Sequence, residues 1–358
     1  MEELLRRLTE TPGPAGQEQQ VRDAIAKEIL PFCQELREDP LGNLLARIGT
    51  NPDYRVGILA HMDEVGLIVS QISDRGLISF EVGGTVDARQ LPGLEVDLMA
   101  SDGKLIRGVI GNQSRHLQTA EELGSQISHR QLFIDIGAPS REEVLAQRVS
   151  IGSGVVFATK FHPLSNRTIL GKALDDRIAC AVLVKTIHAL HSALKNITIY
   201  GMFTVQEEIG AKGARVVAFD AQPQMIIALD TVPTKNPDLV KGQEVELGRG
   251  PVIRLFDWQP STKLGMFTHR AIRDRLLQVA RDERVAHQVD VLTSTYLDSS
   301  QAHLTAGGIP GGSICFPRRY SHGPVELSHM NDIEDGLKLL IAFLKSVDDH
   351  PIRFGKLY

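Results

Sequence analysis

The spacing of apolar positions changes twice along the chain. In "GQEQQVRDAIAKEIL", Val21, Ala24, Ile25 and Ile29 recur at helical spacing, and "NLLARI" and "RVGILAH" then read as strands after the Asp39-Pro40 and Asn51-Pro52 turns. From about Leu67 to Phe161 the pattern shifts to short glycine-punctuated runs, among them "GLIVSQI", "GLISFEV", "LEVDLMA", "KLIRGVIG" and "GVVFATK". Helical periodicity is scarce there except near Arg141 to Gln147, so this stretch predicts a separate all-β module of barrel or sandwich type.

After "LSNRTILGKALDD" the alternation of elements returns. A helix from about Arg177 to Leu194 is apolar on most sides and therefore buried. Strands are predicted at Ile197 to Val205, Met225 to Leu229, near Val252 to Phe256 and at "SICFP", with a short helix near Ala214 and an amphipathic helix from about Lys263 to Glu283. Asn331 with Glu334 three residues on predicts a capping box opening a last helix through Ile333, Leu337, Leu340, Ile341 and Leu344. The simplest architecture is an α/β domain with a mixed sheet flanked by helices, built from residues 1–68 and 164–358. A small β-barrel-like domain, residues 69–163, is inserted between the two parts.

Composition narrows the function classes. At 358 residues and 42% hydrophobic content the chain is a folding one, and its net charge of −5 comes with scattered basic residues. Nothing marks a nucleic-acid or acidic-membrane surface, which leaves small-molecule or peptide partners. Cys33, Cys180 and Cys315 are odd in number and far apart, against a disulfide framework. The N-terminal "MEELLRRLTETPG" has no apolar core segment and no run approaches a spanning helix, so a soluble cytoplasmic protein is expected.

Acidic and imidazole groups collect at the ends of apolar runs, where open α/β sheets form their sites. "VGILAHMDEVG" ends on His61 and Asp63, "FTVQEEIG" on Glu207 and Glu208, and "MIIALD" on Asp230; "GKALDDR" sets Asp175 and Asp176 at a helix start, and "RRYSHGPVE" sets His322 in a loop after "SICFP". Each has an ordinary reading alone: a helix cap, a satisfied polar histidine, a solvated charge pair. Together, so consistently at strand ends, those readings fare worse. Two histidines and three carboxylates make a mixed N and O donor set suited to zinc or cobalt(II), manganese less so, and a shared carboxylate can bridge two ions. A pair of such ions activates a water and polarises a carbonyl, and then needs one further carboxylate as a base that is not itself a ligand.

"AHMDEVG", "GKALDDR", "TVQEEIGAKGA", "ALD" and "RRYSHGPVE", in that order, resemble family forty-two of the metallopeptidases, the glutamyl, lysyl and deblocking aminopeptidases. The likeness runs over nearly the whole chain, including "LFIDIGAPSREE" in the inserted region. It implies a zinc-peptidase-like catalytic domain, two divalent ions (zinc, cobalt or manganese), short peptide substrates, and a homo-oligomer ranging from a dimer to a tetrahedral dodecamer, with the inserted domain serving dimerisation or assembly. Residue by residue it implies that His61, Asp175 and Asp230 hold one metal while Asp175, Glu208 and His322 hold the other. Glu207 is then the general base, and Asp63 accepts the His61 N–H from behind. Glu64 and Asp176 take supporting roles, and Arg319 and Tyr320 are candidates to line the site or to make structural pairs.

Two stretches depart from the family pattern. "STYLDSSQAH" keeps Asp298 where members often carry a glycine-rich "GGTDA", and His116 in "GNQSRH" lacks the prolines that usually precede it. These touch the substrate pocket and assembly contacts and leave the metal core intact. Competing readings are a metal-dependent deacetylase or amidase, and a binding or assembly protein with a relic site. Some relatives are labelled endoglucanases, but a glycosidase normally works with two flanking carboxylates and no metal pair.

Overall fold

Runs such as "RVGILAH" and "MIIALD" contain almost no polar position, the pattern of strands covered on both faces rather than one. The computed structural model, which describes residues 1–120, 124, 126–234 and 245–355, bears that pattern out. The large sheet has twelve strands among the described residues. These are β1 (Glu35–Glu38), β2 (Leu44–Ile48) and β3 (Arg55–His61), then, after the inserted barrel, β10 (His162–Pro163), β11 (Thr168–Gly171), β12 (Thr198–Thr204), β13 (Met225–Pro233), β14 (Val252–Gln259), β15 (Leu264–Phe267), β16 (Gln288–Leu292), β17 (Gly311–Arg319) and β18 (Glu326–His329). The order is β1-β2-β12-β3-β13-β17-β18-β11-β10, and β14 pairs with β17 and carries β15 and β16. The middle four, β12-β3-β13-β17, are mutually parallel, so their carboxyl ends share one rim.

Period-two alternation sends successive residues of these strands to opposite helical layers. Ile58, Phe203 and Ile227 pack with α1 (Glu2–Glu10), α2 (Gln19–Ile29), α4 (Leu174–Leu190), α6 (Arg270–Asp282) and α8 (Met330–Asp349). Their neighbours Leu59, Met202 and Ile226 pack with α5 (Lys212–Ala221) and α7 (Ser299–Ala302). The helix α4 is buried along nearly all its length, as its apolar circumference predicts, and runs against α1, α2, β3 and β13. No helix among the described residues is long and apolar enough to cross a membrane.

The inserted region closes into a six-stranded barrel: β4 (Gly66–Ile72), β5 (Ile78–Gly83), β6 (Glu95–Met99), β7 (Leu105–Gly111), β8 (Phe133–Asp135) and β9 (Gly154–Phe157), in the order β4-β5-β8-β7-β6-β9. Closure leaves the barrel no long exposed edge. Its own core is built from inward residues such as Val69, Phe80, Leu98, Ile110 and Ile134, and α3 (Arg141–Ala146) is its helical excursion.

Two local expectations are corrected. The amphipathic stretch from Lys263 begins as a strand, because Leu264–Phe267 pairs with β14 and Gly265 takes a positive φ of 151° where a Cβ would collide with Asp257. The helix proper starts only at Arg270, after His269 accepts the Ala271 N–H. The last helix lacks the Asn331–Glu334 capping box. It starts at Met330, two residues earlier than that box requires, His329 Nδ1 accepts the Asn331 N–H, and Glu334 reaches Arg167 instead at 2.7 Å.

Candidate metal centre

The parallel rim determines where chemistry collects. β3 ends on His61; β12 ends at Thr204 opposite it and runs on to Glu207 and Glu208; Asp230 lies in β13; His322 follows β17. The start of α4 brings Asp175 and Asp176 to the same place. His61, Asp175, Glu207, Glu208, Asp230 and His322 therefore line one cleft of about 240 Å³, with Asp63 and Asp176 fully buried behind it.

Asp175 is the carboxylate that touches both imidazoles: its Oδ1 is 3.2 Å from His61 Nε2 and its Oδ2 is 3.3 Å from His322 Nε2. His322 Nε2 also lies 3.4 Å from Glu208 Oε2. Among the described residues, two trios have ligand atoms mutually within 4.8 Å: His61, Asp175 and Glu208, and His61, Asp176 and Asp230. The second trio uses Asp176, which the sequence reading had placed in a supporting role. Its Oδ2 accepts the His61 backbone N–H at 3.3 Å.

Asp63 does more than back the imidazole. The His61 Nδ1 faces the Asp63 backbone carbonyl at 3.1 Å and stands 3.5 Å from its carboxylate. That carboxylate also accepts the backbone N–H groups of Glu207 (2.9 Å) and Glu208 (3.0 Å). One side chain thus orients the acid pair, while its main chain sets the imidazole.

The cleft holds more buried carboxylate than its own cations can balance. Burial, with Asp230, Asp298 and Glu208 nearby, pushes Glu207 well above the usual carboxylate range despite His61. Burial and Asp175 do the same to Asp230, and burial lifts Glu208 to about 7. Asp175 goes the other way: burial would raise it, but Arg318 and the two imidazoles hold it well below the ordinary value. Burial would lower His322, yet Glu208 and Asp175 bring it to about 9. Glu207 Oε1, Glu208 Oε1 and Asp176 Oδ1 are buried without a hydrogen-bond partner among the described residues. Unpaired buried oxygens in a cluster of like charge are what divalent cations neutralise. Two imidazoles and several carboxylates are also a donor set such ions accept. The residues fit a metal pair.

A family model described as M42 glutamyl aminopeptidase matches residues 42–339. The chain belongs to this family. It is 36% identical over 341 residues to a putative aminopeptidase of Acetivibrio thermocellus, covering 95% of this chain and 97% of that one. The solved aminopeptidase of the archaeon Desulfurococcus kamchatkensis matches with a TM-score of 0.89 at 32% identity, over 96% of this chain and 93% of that one. The Pyrococcus horikoshii TET1 peptidase, described as able to assemble into a tetrahedron or a large octahedral shell, matches at TM-score 0.84 and 33% identity over 95% and 98% of the two chains. The chain is thus a peptide hydrolase of the aminopeptidase type.

Around this aminopeptidase cleft stand residues that sequence reasoning missed. Of the adjacent arginines in "RRYSH", Arg318 and not Arg319 faces the site, donating from Nη2 to Asp175 Oδ2 at 2.6 Å and from Nε to Thr231 Oγ1 at 2.9 Å. Tyr320 is exposed. Strand alternation through the buried Phe316 in β17 was the signal available for Arg318. Glu326 ties the arrangement together: it pairs with Arg318 and accepts the backbone N–H groups of Asp175 (3.0 Å) and His322 (3.1 Å). Glu64 is structural, buried between Lys172 Nζ (2.7 Å) and Arg177 Nη2 (3.4 Å). Asp298, in the segment that departs from the family pattern, is buried and accepts from Thr204, and Tyr296 donates to the Glu207 carbonyl at 3.2 Å. His116 is exposed in a short turn of the barrel region.

Proposed function

We propose that this aminopeptidase uses a pair of divalent ions, zinc, cobalt or manganese, to remove N-terminal residues from short peptides, with Glu207 as general base. The observation that carries it is the placement of Asp175 between His61 and His322, with Glu207 beside them and free of any hydrogen-bond partner at Oε1 among the described residues. His61, Asp175 and Asp230 would hold one ion and Asp175, Glu208 and His322 the other. Asp176, whose Oδ2 is engaged by the His61 N–H, would support the first group. Bound there, the ions supply Lewis acidity at the scissile carbonyl and lower the pKa of a water.

The rest of the chemistry belongs to the chain. Glu207 accepts the proton of the attacking water at its carboxylate as the water oxygen adds to the peptide carbon. The same carboxyl then gives that proton to the leaving nitrogen as the C–N bond breaks, so the base is regenerated. Asp63 fixes the direction of both acids through their backbone N–H groups. The large sheet and its helices form the catalytic unit in this reading, and the inserted barrel, whose strands run from Gly66 to Phe157 rather than over 69–163, serves assembly into a homo-oligomer, between a dimer and a tetrahedral dodecamer. The Pyrococcus horikoshii relative supports that assembly. The absence of disulfides among Cys33, Cys180 and Cys315 fits a cytoplasmic location.

The test is a set of aminoacyl chromogenic substrates and short peptides, with free and acetyl-blocked N-termini, assayed after chelation and after return of each metal. Cleavage confined to free N-termini and restored by metal is expected. Cleavage of blocked substrates alone, or a rate indifferent to chelation, would overturn the reading.

A further inference from the structure

The backbone between the end of β12 and the acid pair is held by side chains on every consecutive N–H. Val205 N donates to Asn43 Oδ1 (3.0 Å), Gln206 N to Glu18 Oε1 (3.1 Å), Glu207 N to Asp63 Oδ1 (2.9 Å) and Glu208 N to Asp63 Oδ2 (3.0 Å). The acceptors come from three separate places: the β1–β2 turn, the start of α2 and the residue beyond β3.

Gln206 is the strained link in this series. Its φ is +59°, in the left-handed region that a side-chain-bearing residue enters only when its surroundings compel it. That rotation turns its N–H out of the sheet ladder, and an unpaired buried N–H is costly, so an acceptor must be supplied from elsewhere. Glu18, 5% exposed, supplies it across 188 residues of sequence, and the same oxygen is oriented by the Gly16 N–H at 2.7 Å. On the opposite side Lys212 N donates to Gln206 O at 3.3 Å and Gly213 N to Val205 O at 3.0 Å. The approach at Gly213 is so close that a Cβ there would lie 2.3 Å from Asn43 Oδ1 and 2.5 Å from Val205 O. The turn is gripped from both sides, and the left-handed residue is what lets Glu207 and Glu208 diverge.

We propose that Glu18 is a positioning residue for Glu207: by accepting the Gln206 N–H it holds the left-handed turn that aims the base. This rests on Glu207 being the base. What Glu18 contributes is an acceptor oxygen at a given point, so glutamine can replace it and alanine cannot.

The test compares Glu18→Ala and Glu18→Gln in the metal-loaded, full-length enzyme. For Glu18→Ala the expectation is a kcat lowered at least about tenfold, KM and bound metal within about twofold of the parent, and faster amide hydrogen exchange in a peptide spanning residues 203–210. Glu18→Gln is expected to restore kcat to within about threefold and to restore exchange protection. If the alanine variant does not fold, Glu18→Asp, which withdraws the oxygen by one methylene, carries the same expectation. An unchanged kcat with faster exchange overturns the proposal, as does a glutamine variant as impaired as the alanine one, or loss of metal in place of loss of kcat. Full activity in Glu207→Gln would instead remove the reading beneath it, and the exchange result would still stand by itself.

Discussion

The barrel and the parallel rim are both built from buried strands, and they treat polar groups in opposite ways. In the barrel, apolar residues point inward and charged ones pair at the surface, as Arg107 does with Glu95. At the rim, carboxylates from β3, β12, β13 and one helix start are buried together, four of them (Asp175, Asp176, Glu207 and Glu208) with an oxygen left unpaired among the described residues. The barrel satisfies itself. The rim is left with a charge imbalance that a bound cation would settle, and a fold tolerates such local conflict where function requires it.

The largest effect is expected at the rim: Glu207→Gln should lower kcat by about 10²–10⁴-fold while keeping metal and fold, measured as turnover on an aminoacyl chromogenic substrate beside metal content. Near-parental turnover would withdraw the base assignment. Glu208→Ala should lose metal, read by equilibrium dialysis, and lose activity with it.

A barrel substitution should do the reverse. Ile134 is fully buried in the barrel core, and Ile134→Ala should cost about 2–5 kcal/mol of stability in chemical denaturation, with kcat of the folded enzyme unchanged. A selective fall in kcat would show that the two regions are not independent.

Asp332 provides a smaller test, remote from the ligands. Burial raises its carboxyl from 3.8 to about 7, against the pull of the Gly248 and Gly250 N–H groups it accepts. A raised carboxyl binds its proton more tightly in the folded state. Its contribution to stability is therefore full below pH 3.8 and lost as pH rises through about 7. Thermal melts of the parent and Asp332→Asn across pH 4–8 should show this part of the slope only in the parent; parallel slopes would refute the assignment. The smallest effect is expected at the exposed pairs on the barrel surface. Arg130, whose partner Glu81 is also solvent-exposed, is the position to test: Arg130→Ala should change stability by less than about 1 kcal/mol, and a larger loss would mean that the surface pairs carry more than solvent-screened attraction.

Much of the fold is written in local pattern. The apolar runs of β3, β12, β13 and β17 mark strands covered on both faces, and the acids and imidazoles at their ends mark the rim, because a parallel sheet aligns those ends whatever the loops do. Where two readings compete locally, pattern fails. The hairpin strand Leu264–Phe267 lies inside a stretch that also fits a helix, and only pairing with β14 decides between them. Arg318 and Arg319 are alike in residue type, strand alternation favours Arg318, and only packing shows that it reaches Asp175.

The sequence by itself determined which donor atoms exist and which strand ends carry them: His61, Asp230, the Glu207–Glu208 pair and the Asp175–Asp176 pair can be read without coordinates. Tertiary structure alone decided how those atoms are held. Asp63 serves the acid pair through its carboxylate, Glu326 links Asp175 to His322, and Glu18 grips Gln206 from the far end of the chain. The reason is physical: side-chain type and period are local properties of a chain, whereas the partner of a buried backbone N–H is whichever acceptor the packing brings within about 3 Å.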